Sequence, residues 1–358
     1  MLLHDEPPDG GQKDKVTRKR RRRTSPRRVT MADVAKAAGV SAQTVSRTIN
    51  NPDVVNEDVR LLVEDAIRRL NFVPNFAASQ MATNRSRIIA VILPSLSASI
   101  FANTVQGLSS MLLPAGYQIL LGHTHYSNEQ EEAVVRSILG RGPEGIVIIG
   151  TTHTPNARQL LQISGLPVVE TWEWTRDPVD LLVGYSNEGA AVEMVRHLYA
   201  KGYRRLVFSG VVEAGDARGQ SRLRGFQAET ARLGLDASRI HLLEGCDLSL
   251  KTGGASVDAI RSRYPDADAI FYSSDIFAAG AVQQCRKLGL RVPEDLAIAG
   301  FGGFDIAEIL IPSLTTIRIP SRQIGELAGR LLLSKLTKVA VEAPHIRVDY
   351  TLVPGEST

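Results

Sequence analysis

Short apolar runs alternate with helical patterns over most of this chain from residue 88 onward. The runs are rich in Val, Ile and Leu and lie at Ile88–Leu93, Gln118–Leu121, Gly145–Ile149, Pro167–Val169, Leu206–Ser209, Ala269–Tyr272 and Leu296–Ala299. Helical patterns separate them, for example at Thr104–Leu113, Glu129–Leu139, Ala190–Tyr199, Arg222–Leu233 and Phe277–Leu288. Apolar strands that alternate with helices indicate parallel sheets covered on both faces. Because some 270 residues exceed what one such sheet usually holds, we expect two α/β lobes with a ligand-binding cleft between them.

A different pattern occupies residues 31–51, where two short amphipathic helices are joined by a turn at Gly39. Gly39 suits a left-handed turn, Ser41 can cap the second helix, and Val45 and Ile49 point inward one helical turn apart. This arrangement predicts a helix-turn-helix whose polar face reads base edges and phosphates in a major groove. Taken alone, the pattern also fits a solvated helical hairpin.

A third helical pattern completes a head of about forty residues, which is enough for a small three-helix unit. Asn56 is expected to cap this helix. Its apolar stripe is predicted to comprise Val59, Leu62, Val63, Ala66, Ile67 and Leu70. The Ala-rich segment that follows Pro74 is too short to persist as an isolated helix. We therefore interpret residues 74–86 as a hinge that becomes ordered on binding.

The net charge of +4 is unevenly distributed along the chain. Residues 1–28 contain ten Lys and Arg against four acids, a net charge of +6, so residues 29–358 carry −2. This arm has too few apolar residues to fold, and its charge suits a polyanion such as DNA. A solvated tail without direct DNA contact fits the composition equally well.

Composition also limits the location and the chemistry of the protein. Cys246 and Cys285 are the only cysteines, which fits a reducing compartment. No apolar export segment follows the basic run Lys19–Arg23, and no run approaches the roughly 18 apolar residues of a membrane span. The GxxxxGK[ST], HExxH and GxSxG motifs are absent. We therefore expect a cytoplasmic protein that is not an enzyme, needs no metal or cofactor and has no membrane partner.

From Val29 to Pro354 the chain resembles the lac-repressor (LacI/GalR) family of bacterial transcription regulators. The resemblance rests on DVAKAAGVSAQTVSRTIN (from Asp33), LNFVPNFAASQMA (from Leu70), Ser274-Asp275 with Ala278 and Gly280-Ala281, KLGLRVPEDLAIAGF (from Lys287) and PSLTTIRIP (from Pro312). It implies an all-α head joined to a two-lobed core similar to type I periplasmic binding proteins. It also implies a bacterial, nucleoid-associated protein. The implied divisions are a disordered arm 1–28, head 29–73, hinge 74–86 and core 87–358. One lobe would contain about 87–185 with 314–341, and the other 186–313 with 342–358.

The resemblance also implies which residues contact operator DNA. Ala42, Gln43 and Arg47 match the base-reading positions, where Gln suits adenine and Arg suits guanine. The positions that match phosphate contacts are Thr30, Ser41, Thr44, Ser46, Asn50 and, in the hinge, Asn75. Met81 stands where the family usually has a leucine that wedges into the minor groove, and packing within the linker is its alternative role.

Within the family, the chain is most similar to the gluconate-utilisation repressors. The shared strings are LPSLSASIFA (from Leu93), THTP (from Thr152), PVVE (from Pro167), VGYSN (from Val183) and IAGFGGFDI (from Ile298). Many family members have two aspartates where this chain has Gly302-Gly303, and a carboxylate there would repel an anionic ligand. Arg222 matches the ligand-binding arginine of the family and suits a ligand carboxylate, with Arg224 as an alternative. The implied effector contacts are Ser95, Phe101, His153, Glu170, Tyr185, Arg222 and Asp275.

Each of these side chains has an alternative position in the core or at the rim of the cleft. Phe101 and Tyr185 would stack on the ligand and Asp275 would hold its hydroxyls, whereas His153 also fits a solvated turn. Glu170 fits an anion site only if it binds a hydroxyl or pairs with Arg222. The expected function is a homodimeric repressor of sugar-acid catabolism genes that gluconate, or a close relative, releases from its operator. Another sugar or sugar phosphate as effector, or action as an activator, remains open at this point.

Overall fold

The computed structural model describes residues 29–74, 85–96, 98–212, 216–243 and 247–358. The chain divides after Asn84 into two compact units. The predicted arm and most of the predicted hinge, with Asn75 and Met81, lie outside the described residues. Within the described ranges, no helix combines the length and the apolar character that a membrane crossing requires.

The first unit contains the three predicted helices, α1 (Met31–Ala38), α2 (Ala42–Asn50) and α3 (Glu57–Leu70), with a short 3-10 turn at Pro52–Val54. Gly39 has the predicted left-handed backbone (φ 69°), and the Ser41 and Asn56 side chains accept hydrogen bonds from backbone N–H groups at the starts of α2 and α3. The buried core is small and consists of Val34, Ala35, Val45, Val63, Ala66 and Phe72. Leu62, which was predicted to belong to the apolar stripe, is 56% exposed because it lies on the outer side of α3.

The second unit begins with a six-stranded parallel sheet in the order β11-β5-β4-β3-β1-β2. Its strands are β1 (Ile88–Leu93), β2 (Gln118–His123), β3 (Gly145–Ile149), β4 (Val168–Thr171), β5 (Leu181–Gly184) and β11 (His345–Arg347). Alternate residues of these strands face opposite sides. One side packs on α4 (Ser99–Leu112) and α12 (Ser321–Leu336), and the other on α5 (Asn128–Leu139) and α6 (Pro155–Ile163). This sheet with its helices is the first lobe.

A four-stranded parallel sheet in the order β7-β6-β8-β9 forms the second lobe. Its strands are β6 (Leu206–Gly210), β7 (Ile240–Leu242), β8 (Ala269–Tyr272) and β9 (Ala297–Ala299). The helices α7 (Asn187–Ala200) and α8 (Ala217–Arg232) cover one face, while α9 (Leu250–Arg263) and α10 (Asp275–Lys287) cover the other. A single turn of helix, α11 (Ile306–Ile309), follows β9. Two parallel sheets covered on both faces are what the alternating pattern predicted.

The predicted lobe boundaries need two corrections near the C-terminal end. Strand β11 pairs with β5, so residues 345–347 belong to the first lobe and not, as predicted, to the second. The segment at β10 (Thr316–Arg318) was predicted to lie in the first lobe. However, it pairs with β12 (Thr351–Val353), and residues 315–318 also bridge to the end of β9 in the second lobe. Strand pairing between distant segments decides both assignments, and local sequence patterns do not report it.

Candidate DNA-reading surface and effector cavity

Helix α2 presents one buried and one exposed face. Val45 and Thr48 are buried against the head core, whereas the three predicted base-reading residues, Ala42, Gln43 and Arg47, are exposed. A small residue, an amide and a guanidinium on one accessible helix surface can contact the edges of adjacent base pairs. The structure therefore brings the predicted base-reading set together on one surface, and its role in DNA binding stays a prediction.

The residues predicted to contact phosphates also organise the helix ends. Thr30 and Asp33 form a reciprocal capping box at α1, with 2.7 Å between Thr30 Oγ1 and Asp33 Oδ2. Ser41 Oγ accepts from the Thr44 backbone N–H at 3.0 Å, and its hydroxyl lies 2.9 Å from the Thr44 hydroxyl. At the other end of α2, the amide of Asn50 donates to the carbonyl oxygen of Ser46 at 2.9 Å. Four of the six predicted phosphate contacts thus lie at the two ends of α2, where polar groups remain accessible. They are Ser41, Thr44, Ser46 and Asn50.

The head holds five Lys and Arg against six acids, but only some of these cations form ion pairs with an acid. Arg60, Arg68 and Arg69 form ion pairs with acids on their own helix, α3. Lys36 and Arg47, on the helix-turn-helix itself, have no ion-pair partner among the residues that the structure describes. The positive charge that is free to meet a phosphate or a base therefore lies on α1 and α2.

Within the second unit, a cavity of about 860 Å³ lies at the carboxyl ends of the strands of both lobes. Residues directly after β1, β4 and β5 line it from the first lobe. Residues directly after β6 and β8, and residues shortly after β9, line it from the second. Its aromatic lining comprises Phe101, Tyr126, Trp172, Tyr185, Phe277, Phe301 and Phe304. Four of the seven predicted effector contacts line this cavity, namely Ser95, Phe101, Tyr185 and Arg222. The ends of parallel strands are where ligands bind in open α/β folds.

Of the two arginines that the sequence offered, Arg222 reaches the cavity, whereas Arg224 is exposed and lies 3.7 Å from Glu188. One terminal nitrogen of Arg222 donates to Asn187 Oδ1 at 2.7 Å, and its guanidinium carbon lies 4.7 Å from the centre of the Phe301 ring. Among the described residues, Arg222 has no ion-pair partner, and its buried Nε has no hydrogen-bond acceptor. Asn187 also donates to Glu173 at 2.8 Å, and burial raises the pKa of that carboxyl to about 7 against the lowering charges of Arg222 and Arg218.

His153 and Glu170 do not line the cavity, contrary to the prediction. His153 is almost fully buried between Glu131 and Glu170, at 2.6 and 3.2 Å, and Glu170 also accepts from the Val179 backbone N–H. Burial alone would lower the pKa of His153, but the hydrogen bonds and charges of the two carboxylates outweigh it and raise that pKa to about 9. These side chains join α5, the β3–α6 loop and β4, so their polar groups satisfy each other rather than a ligand.

Asp275 is likewise internal to the second lobe. One of its carboxylate oxygens accepts from the Thr316 hydroxyl at 2.6 Å and the other from the Phe304 backbone N–H at 2.8 Å. Complete burial raises the pKa of this carboxyl to about 6, although these hydrogen bonds oppose the rise. Asp275 thus fastens the segments after β9 and at β10 to the start of α10, and it is not part of the cavity lining.

The sequence interpretation missed several groups that do line the cavity. Asp216 and Arg218 form a buried ion pair there, and Arg218 lies over the rings of Phe101 and Tyr126 at 5.5 and 5.8 Å. Trp172, in a left-handed conformation (φ 75°), donates from its indole N–H to Thr104. Each of the three lies after a strand that ends at the cavity, and this placement was the only available signal. To use this signal, one must know where each strand ends, and the apolar runs in the sequence give the strand ends only approximately.

Gly302 and Gly303, at which the sequence resemblance implied that two aspartates are missing, also have a conformational role. Gly302 and Gly303 both adopt positive φ, 124° and 71°, and a Cβ on Gly303 would lie 2.7 Å from the backbone of Arg318. Gly302 lines the cavity and brings no carboxylate into it. The backbone conformation therefore favours glycine at both positions. The cavity also carries less negative charge than it would with an aspartate at position 302.

Comparison with known proteins places these features in a family. Residues 30–75 match the model of bacterial regulatory proteins of the lacI family, and residues 195–358 match a periplasmic binding protein-like domain. The regulator GntR of Escherichia coli K12 is 32% identical over 331 residues, which cover 92% of this chain and 99% of GntR. The repressor CytR of the same strain is 31% identical over 330 residues, covering 92% and 96%. The chain belongs to the LacI family.

The structural neighbours agree with this assignment. A LacI-family transcriptional regulator from Silicibacter pomeroyi has a TM-score of 0.84 and 32% identity, with 92% of this chain and 99% of that protein covered. LacI-family proteins are DNA-binding regulators rather than enzymes, which confirms that part of the sequence prediction. Since GntR and CytR are almost equally similar to the chain, family membership alone leaves the effector open.

Proposed function

We propose that this LacI-family protein is a dimeric repressor of sugar-acid catabolism genes, which a sugar acid, with gluconate as the first candidate, releases from operator DNA. The effector would favour one arrangement of the two lobes and so change the affinity for the operator. It can shift that equilibrium only by its difference in affinity for the two arrangements. The name of the CytR relative includes the word repressor, which supports repression over activation.

Arg222 carries the proposal of an acidic effector. Its charge has no partner carboxylate among the described residues, and its buried Nε lacks an acceptor. A buried donor without an acceptor is unfavourable, and a ligand carboxylate can accept two parallel hydrogen bonds from a guanidinium. Contact with Phe301 and the bond to Asn187 hold the guanidinium in place before a ligand arrives. A neutral sugar would leave this charge uncompensated.

A thermal-shift panel tests the class of effector. We expect gluconate at about one hundred times its Kd to raise the Tm of the core by roughly 5 °C, while glucose and sorbitol leave it unchanged. A neutral sugar or a nucleoside that stabilises the protein when gluconate does not would contradict the proposal. Operator release by the same compounds, measured by fluorescence anisotropy, then separates an effector from an incidental ligand.

A matched pair of arginine variants tests the residue. Arg222→Gln should weaken gluconate binding about one hundredfold, because it removes a charge-assisted, bidentate contact. Arg224→Gln should have little effect, because Arg224 is exposed and lies beside Glu188. Equal losses in the two variants would argue against a specific carboxylate contact at Arg222.

For the DNA side, we propose the base-reading role of Ala42, Gln43 and Arg47, with Asn75 and Met81 in the hinge as predicted. The support is the joint exposure of the first three on α2 and the charge of Arg47, which has no ion-pair partner among the described residues. An operator half-site selected from random DNA provides the probe for these contacts.

For the dimer, the second lobe offers an exposed apolar pair as part of an interface. Ile309 and Ile311 are 78% and 82% exposed and only two residues apart, whereas Ile163, at 71%, has no such neighbour in sequence. Clustered apolar side chains mark interaction surfaces more often than single ones. Ile311→Glu should shift the protein toward monomer in sedimentation velocity, and Ile163→Glu should not.

A further inference from the structure

Three charged side chains lie together at the cavity: Asp216, Arg218 and Arg222. Asp216 accepts from the Arg218 Nε–H at 2.8 Å, and the side chains of this pair are only 9% and 7% exposed. Burial would raise the pKa of Asp216, but the charges of Arg218 and Arg222, with the hydrogen bonds from Arg218, lower it below its ordinary value. Asp216 is therefore ionised, and its field reaches both arginines.

The charge balance of the cavity follows from this arrangement. Among the described residues, Asp216 neutralises one of these two arginines and leaves a single positive charge inside the cavity. Glu129 and Asp247 also line the cavity, but both are exposed at its rim, where water and salt screen them. Glu173 lies behind Asn187. The pKa of its carboxyl is about 7, so this group is largely protonated at a pH below that value. His123 also lies at the rim, beside His125. Burial and the neighbouring His125 lower the pKa of His123, which favours its neutral form.

We propose that Asp216 sets the charge of the effector, so that the cavity accepts a sugar acid with one negative charge and rejects one with two. This inference rests on the sugar-acid function proposed above. A monoanion matches the single positive charge that remains. A dianion would bring a second charge without a partner into a buried site beside the Asp216 carboxylate, and such burial is strongly unfavourable. Asp216 therefore acts as a specificity determinant, and the rejected class comprises dicarboxylic and phosphorylated sugar acids.

The test is isothermal titration of the full-length protein with gluconate and glucarate at about pH 6.5, below the pKa of Glu173. The two acids differ only in the oxidation of C6, which gives glucarate its second carboxylate. The wild-type protein should bind gluconate at least about tenfold more tightly than glucarate. Asp216→Asn should shift this ratio toward glucarate by about tenfold or more. Asparagine keeps the capping function that Asp216 has at the start of α8.

Two further variants identify the cause of a shift. Glu188→Gln removes the carboxylate from the exposed ion pair of Glu188 with Arg224, which lies outside the cavity. This variant should leave the ratio of the two affinities unchanged. The double variant Asp216→Asn with Arg218→Gln removes one charge of each sign, so it should return the ratio to the wild-type preference. A shift of equal size in Glu188→Gln, or none in Asp216→Asn, would overturn the proposal.

Arg218→Gln keeps the proposal testable if Asp216→Asn does not fold, as judged by circular dichroism. In this variant Asp216 would cancel Arg222, so gluconate affinity should fall about tenfold or more, and unchanged affinity would refute the charge balance. If the wild-type protein binds neither acid, the sugar-acid function is wrong and the role of Asp216 with it. If it binds gluconate and Asp216→Asn keeps the wild-type ratio, only the role of Asp216 is wrong.

Discussion

The head and the effector cavity handle positive charge in opposite ways. In the head, Lys36 and Arg47 are exposed and have no ion-pair partner among the described residues, so their charge is available to DNA. In the cavity, Arg218 is buried against Asp216, and Arg222 is held by Asn187 and Phe301. An exposed charge contributes little to stability and depends on salt. A buried charge needs a partner, and that partner determines what else can bind.

The largest expected effect comes from the buried cluster at His153, which tests the rule for buried charge most directly. His153→Leu should lower the free energy of unfolding of the core by about 3–5 kcal/mol, because Glu131 and Glu170 would face each other without a cation. Urea denaturation followed by circular dichroism measures it. A loss below about 1 kcal/mol would mean that this buried cluster contributes no more to the free energy of unfolding than an exposed ion pair does.

The same cluster predicts a dependence on pH. His153 titrates at about 9 in the folded chain and at 6.5 when unperturbed, so its stabilisation is complete below pH 6.5 and is lost as the pH rises through 9. The expected loss is of the order of 3 kcal/mol between these values. The decisive comparison is with His153→Gln, whose free energy of unfolding should not show this decline.

For the exposed charge, Arg47→Ala should weaken operator binding by about 1–3 kcal/mol and leave the melting of the core unchanged. Binding to random-sequence DNA should fall much less, because only base contacts distinguish sequences. Arg69→Ala is the matched control, since Arg69 is also an exposed arginine of the head but pairs with Asp65 at 2.8 Å. If the two variants lose equal affinity, Arg47 contributes charge and not sequence recognition.

The smallest expected effect concerns the cap of α2. Ser41→Ala removes the acceptor for the Thr44 backbone N–H and should destabilise the head by about 1 kcal/mol. Calorimetry of the full chain should show a lower transition for the head only, with the core transition as an internal control. A shift of the core transition would show that the stabilities of the two units are coupled.

The sequence predicted most of the head, because its determinants act over a few residues. The positive φ at Gly39, the cap at Ser41 and the inward Val45 depend on neighbours within about one helical turn. The alternation of apolar runs and helices likewise predicted two parallel sheets, since burial on both faces leaves a uniform apolar strand. The exposure of Leu62 was not predictable in this way, because α3 has a wider apolar stripe than its two partner helices cover.

The cavity shows what the sequence alone did not decide. Arg222 rather than Arg224 reaches it, Asp216 and Arg218 pair there, and Asp275 turns inward to bind Thr316. These outcomes depend on which strands are neighbours and on which side of each helix meets a sheet. The sequence by itself thus determined the family, the fold class and the helix-turn-helix. Only the tertiary structure decided which buried charges meet, because pairing between residues far apart in the chain is set by the packing of whole elements.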